Sequence, residues 1–205
     1  LTVSLGEARM VDYVRTKFAL ASGKAHTLKT SMYDCADIIT PYDTPWRVIM
    51  AAERPVDLIA HNFIYLNLNE PNVLQGDLSW IRPGKTFRSG LSQKEALAAV
   101  DFAAERGLQY VHLDAGWYGP EMKMESDATR ISESKDLDIK AICDYASTKG
   151  IGVWLYVNQR ALVQQIDRLL PLYKEWGIKG IKFGFVQVGN QFWTCLLYTS
   201  PSPRD

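Results

Sequence analysis

Leu108-Gln-Tyr-Val-His-Leu113, running straight into Asp114-Ala-Gly-Trp-Tyr-Gly-Pro120, is the stretch whose reading decides the fold. Six residues rich in β-formers are too few for a helix, and they end in an acidic, aromatic, glycine-broken loop. Upstream, Ser92-x-x-Glu95 is a capping box that opens a helix to Arg106, with Gly107 as its left-handed stop. Downstream the cycle repeats. An amphipathic helix over 137–149 stops at Gly150 and is followed by the apolar run Gly152-Val-Trp-Leu-Tyr-Val157. A third helix over about 162–176, bent near Pro171, leads through Gly177 into a strand at 180–185.

Helix, glycine, buried strand and polar strand end in succession predict a parallel sheet with right-handed crossovers. A doubly wound nucleotide fold wants a glycine-rich phosphate loop, and neither GxGxxG nor GxxxxGK[ST] occurs. A (β/α)8 TIM barrel wants polar residues at successive strand C-termini, and Asp114, Asn158 and Gln187 take those places. With a first strand near Trp80–Thr86, residues 81–194 read as the first half of such a barrel. Four strands of a closed barrel leave an unpaired edge, so aggregation or marginal folding is expected of the 205-residue chain.

Residues 1–80 have another texture. They are rich in Thr, Val, Ile and Tyr and broken by turn signals at 21–24, Thr40-Pro41 and Arg54-Pro55. Residues 27–32, 45–51 and 58–64 read as strands, the end of an antiparallel β domain whose beginning is missing, since Leu1 opens in mid-strand. Residues 195–205 have no periodicity and resemble a translated sequencing adapter, so they are set apart from the fold. The fold class is thus β plus α/β. Across the chain, 23 basic and 23 acidic side chains cancel. A neutral balance without basic clusters excludes a nucleic-acid binder, and no run of about 18 apolar residues is present to span a membrane. Cys35 and Cys143 form neither a disulfide framework nor a metal site, and Cys143 reads as a buried apolar side chain.

The strand ends carry the chemistry. Asp114 with Trp117 and Tyr118 on one loop suits a sugar, whose hydroxyls bond to a carboxylate and whose C–H face packs on an indole. Helix capping or loop organisation is the plainer role for an Asp there, and filling the barrel mouth is the plainer role for Trp117. Asn158 is either a substrate-loop amide or a helix cap. Trp154 and Tyr156 read as core. His26, His61 and His112 stand at no metal or triad spacing and read as satisfied or exposed imidazoles.

Six segments in order add a resemblance: Glu7-Ala-Arg-Met-Val-Asp-Tyr13, Thr44-Pro-Trp-Arg47, Leu66-Asn-Leu-Asn-Glu-Pro71, Ser79-Trp-Ile-Arg-Pro-Gly-Lys85, Leu113-Asp-Ala-Gly-Trp-Tyr118 and Gly177-Ile-Lys-Gly-Ile-Lys182. Through them residues 1–194 resemble glycoside hydrolase family 97. The resemblance implies an N-terminal β-supersandwich followed by a catalytic (β/α)8 barrel, and α-glycoside hydrolysis assisted by a calcium ion. It implies that Glu7 is one ligand of that ion, chemically apt because Ca2+ takes hard oxygens. The acid and base glutamates would lie beyond residue 194. A periplasmic or cell-surface setting and an α-linked oligosaccharide substrate are implied in the same way.

Retaining relatives place an Asp nucleophile after a Lys-apolar pair on the fourth strand, whereas here Lys182-Phe183 is followed by Gly184. The missing side chain is expected to leave room for an attacking water, which favours an inverting α-glucosidase. A retaining α-galactosidase and a non-catalytic carbohydrate-binding protein are the alternatives.

Overall fold

The computed structural model describes residues 1–71, 73–121 and 123–199, which form two compact units: residues 1–78 with 187–199, and residues 79–186. In the first, β1 (Thr2–Ala8) pairs antiparallel with β4 (Trp46–Ala52), and β2 (Thr16–Leu20) with β3 (Leu28–Met32). The expected strand at 58–64 is not there. Its place is taken by α1 (Pro55–Ala60) and α2 (Phe63–Asn67). Pro55 occupies the first helical turn, where a missing N–H costs nothing and φ is already set. Leu58 of α1, with Ile64, Tyr65 and Leu68 in and just after α2, then pack on Ala8, Val48 and Met50.

The helix α6 (Gln191–Thr199) also belongs to this unit, so Cys195–Thr199, set apart as a non-periodic tail, continue a helix. Asn190 caps it, accepting from the Trp193 amide at 3.0 Å, and Gln191 bonds both the amide and the carbonyl of Asp37. Residues 200–205 of that tail lie outside the described residues.

The second unit is a parallel sheet in the order β5 (Thr86–Ser89), β6 (Tyr110–Leu113), β7 (Gly152–Asn158), β8 (Gly180–Gly184). Its first strand therefore starts where the expected one ends. The crossovers carry α3 (Gln93–Glu105), α4 (Ile139–Thr148) and α5 (Gln159–Trp176). Each begins at a side-chain cap: Ser92, Asp138 and Asn158 accept from the amides of Glu95, Ala141 and Ala161. Glu95 closes its capping box on the Ser92 hydroxyl, at 2.7 Å, instead of the backbone. α5 starts three residues earlier than expected and keeps Pro171 inside one uninterrupted helix, with Leu169 and Tyr173 fully buried on either side of it.

Alternation along the strands splits the sheet into two faces. Val111, Leu113, Val153, Leu155 and Val157 meet Ala96, Val100, Ala103, Ile142 and Ala146 of α3 and α4 in one apolar core. Cys143 joins that core, and burial pushes its thiol pKa up to about 12, the state of an inert apolar filler. The opposite face carries Arg88, His112, Asp114, Trp154, Tyr156 and Lys182. No helix among the described residues is long and apolar enough to cross a membrane.

Candidate functional site

At the C-terminal ends of β5, β6 and β8, Asp114 stands between two cations. Its Oδ2 lies 3.0 Å from Arg88 Nε and its Oδ1 2.9 Å from Lys182 Nζ. Parallel pairing brings these residues together across 26 and 68 positions of sequence. Burial disfavours the Asp114 charge, but the hydrogen bonds from Lys182 and the Ala115 amide outweigh it, and the carboxyl sits below its ordinary pKa. An ionised carboxylate offers about four lone-pair sites, of which the two cations and the Ala115 amide face three, so Asp114 can still accept from one hydroxyl. Lys182 and Arg88, whose side chains are 50% and 72% exposed, have N–H groups to spare for the same ligand.

His112 corrects the reading of a satisfied or exposed imidazole. It is buried, and its Nε2 has no hydrogen-bond partner among the described residues, lying 3.8 Å from Asp114 Oδ1. Burial lowers its pKa, with the Lys182 and Arg88 charges acting in the same direction against Asp114. The ring is therefore neutral near pH 7, and its approach to Asp114 is not an ion pair.

Two expected sugar contacts are spent elsewhere. Trp117 is 0% exposed, packed against Tyr118, Tyr173 and Trp176, and its Nε1 donates to the Tyr156 carbonyl at 2.8 Å. The indole has no open face for a sugar to stack on. Asn158 caps α5 with Oδ1, at 2.8 Å, while Nδ2 donates to the backbone and carboxylate oxygens of Glu121, both at 2.7 Å. All of its side-chain hydrogen-bonding groups are engaged within the protein. Glu121, which sequence reasoning passed over, also accepts from the Gly116 amide and the Tyr118 hydroxyl at 2.7 Å each. It ties the loop after β6 to the end of β7 and so fixes the backbone beside Asp114.

Gly184 ends β8, directly across from Asn158. The vacancy expected there is absent. A Cβ at this position would fall inside contact distance of the Tyr156 ring and 2.8 Å from its hydroxyl oxygen. The aromatic ring of the neighbouring strand occupies the volume that the glycine releases.

In the first unit Glu7 reaches no cluster of acids. Its Oε2 accepts from the Thr16 amide at 3.0 Å, and its Oε1 lies 2.7 Å from Arg47 Nη1. The two are close enough for an ion pair but are not aligned for a hydrogen bond. No group of three or more His, Cys, Asp or Glu suited to a metal ion occurs among the described residues. A single carboxylate already facing a guanidinium does not fit a calcium centre, which needs about six to eight oxygens.

The chain is 31% identical over 177 residues to "Retaining alpha-galactosidase" of Bacteroides thetaiotaomicron, a match covering 80% of this chain and 26% of the relative. Among solved structures, a family 97 enzyme from a Pseudoalteromonas species superposes with a TM-score of 0.74 at 23% identity, over 94% of this chain and 36% of that one. A β-arabinopyranosidase superposes at 0.71 with 19% identity, over 95% and 33%. The chain spans about a quarter of the length of the curated relatives it matches. The family model "Glycosyl-hydrolase 97 N-terminal" matches residues 1–71 and "Glycoside hydrolase 97" matches 69–199. With both family models matched in order and a parallel sheet bearing Asp114 and Lys182 at its strand ends, the chain belongs to glycoside hydrolase family 97.

Proposed function

We propose that this chain carries the β5–β8 wall of the active site of an inverting α-glucosidase, and that β5–β8 are the first half of a (β/α)8 barrel. One observation supports inversion above the rest: the strand position that follows Lys182-Phe183 is Gly184, which has no side chain to attack an anomeric carbon. The displacing group is then a water activated by a carboxylate supplied from beyond residue 194, opposite a general acid from the same later part. The role of the residues in hand is to bind. Asp114 accepts from a sugar hydroxyl, Lys182 and Arg88 keep it ionised and donate to the same sugar, and Glu121 and Asn158 hold the loops that present them.

The Tyr156 ring beside Gly184 refines this reading. Inversion rests on the missing carboxylate and not on an open space, and the water must approach past the ring. Calcium assistance is proposed for the whole protein only. A periplasmic or cell-surface setting goes with the same family reading.

A retaining α-galactosidase is the second reading, favoured by the name of the Bacteroides relative. Proton NMR of the first product released by the full-length protein from aryl α-glucoside and aryl α-galactoside separates the two. Early β-anomer from the glucoside is expected. Early α-anomer would overturn the assignment to Gly184.

A further inference from the structure

The face that bears Asp114 contains a hydroxyl with nothing to bond. Tyr156 is 3% exposed, yet its Oη has no hydrogen-bond partner among the described residues. A buried hydroxyl without a partner is uncommon enough to call for an explanation. The backbone around it is well fastened: its carbonyl accepts from Trp117 Nε1, and it pairs in register with Lys182. The ring is boxed in by Phe185, edge-on at 6.1 Å between centroids, and by Lys182, whose Nζ lies 5.5 Å from the ring centre. The hydroxyl is thus held in place by packing, at the strand ends, beside Gly184 and on the face that carries Asp114. Burial, reinforced by the nearby Glu121 and Asp114 charges, raises its pKa far above the working range, so it is a neutral donor and acceptor and not a base.

We propose that Tyr156 is a substrate-contacting residue: its hydroxyl bonds a hydroxyl of the pyranoside held by Asp114, and its ring sets how closely the sugar approaches position 184. The proposal rests on the glycosidase reading above. It deepens that reading by giving to the neighbouring strand the contact that a side chain at position 184 would otherwise make. The nearby orphan, His112 Nε2, marks the same face as one built to be completed by a polar ligand.

The test is Tyr156→Phe in the full-length protein. Three measurements are compared with wild type: affinity for maltose and for melibiose by calorimetry, kcat and KM on aryl α-glycosides, and the thermal midpoint. Expected are a three- to tenfold loss of sugar affinity, kcat/KM lower by about tenfold, and a midpoint unchanged or higher, because the removed hydroxyl bonds nothing in the free protein. Unchanged affinity and unchanged kcat/KM would overturn the Tyr156 contact and leave the glycosidase reading standing. A loss accompanied by a lower midpoint would overturn it too, because the hydroxyl would then be structural. Wild type that binds sugar without turnover, with weaker binding in the variant, removes the hydrolase reading and keeps the contact. Wild type that neither binds nor cleaves removes both.

Discussion

The two faces of the β5–β8 sheet share the same backbone and follow opposite rules. Toward α3 and α4 the side chains are Val, Leu and Ile with Ala between them, and Val111, Leu113, Leu155 and Val157 are 0% exposed. Toward the other side stand Arg88, His112, Asp114, Tyr156 and Lys182, with two of their polar atoms buried and unbonded. One face lowers the free energy of the fold through close packing. The other keeps charge and orphan donors in place at some cost, as a ligand site does. Substitutions on the first face should therefore act on stability, and those on the second on binding.

The largest expected effect lies on the packed face. Leu155→Ala removes a fully buried side chain between two helices and should cost about 2–5 kcal/mol, read by urea unfolding of the full-length protein. A loss below 1 kcal/mol would mean that this face is not the core. Gly184→Ala follows. Its methyl meets the buried Tyr156 ring, an overpacking worth about 1–3 kcal/mol, and in a Tyr156→Ala background the same substitution should cost little. An equal cost in both backgrounds would place the ring elsewhere. Asn158→Ala removes the α5 cap and the Glu121 tie and should cost about 1–2 kcal/mol, with sugar affinity falling only through the loosened loop. Direct loss of affinity at unchanged stability would restore Asn158 as a sugar contact.

How far the sequence shows these two faces depends on the range of the interaction. Caps and stops are local, so Ser92, Gly107 and Gly177 delimit their helices as read, and the parallel β/α alternation follows. Residues 58–64 misled because Val, Ile and Leu favour strands, while the decisive signal, Pro55 in a first helical turn, looks in isolation like a break. Asp114 was legible as a strand-end acid. Its partners were not: Arg88 and Lys182 meet it only through the register of β5, β6, β7 and β8. Trp117 departs from its expected role for a related reason, while Tyr156 is buried as read. Aromatic residues near a strand end look alike in sequence, and only packing decides that Trp117 is sealed by Tyr173 and Trp176 while the Tyr156 hydroxyl is left unpaired.

The smallest effect probes the charged face itself. His112 is held below its ordinary pKa of 6.5, so the unfolded chain binds this proton more readily than the folded one. Its contribution is complete above about pH 6.5 and is lost as the pH falls toward the folded value. Asp114 is held below 3.8, so its contribution is complete above that value and fades only in stronger acid. Stability should therefore fall in two separate steps on acidification, the first from His112. Asp114→Asn should change stability at pH 7 by no more than about 1 kcal/mol, because its cationic partners are largely exposed. It should abolish the acid step and deepen the first one, since the Asp114 charge is what favours protonated His112. A Tm-against-pH curve of Asp114→Asn that matches wild type through both steps would break the coupling between these residues. A curve that differs as described, together with sugar affinity lowered far more than stability, would show that this face holds its charges for a ligand and not for the fold.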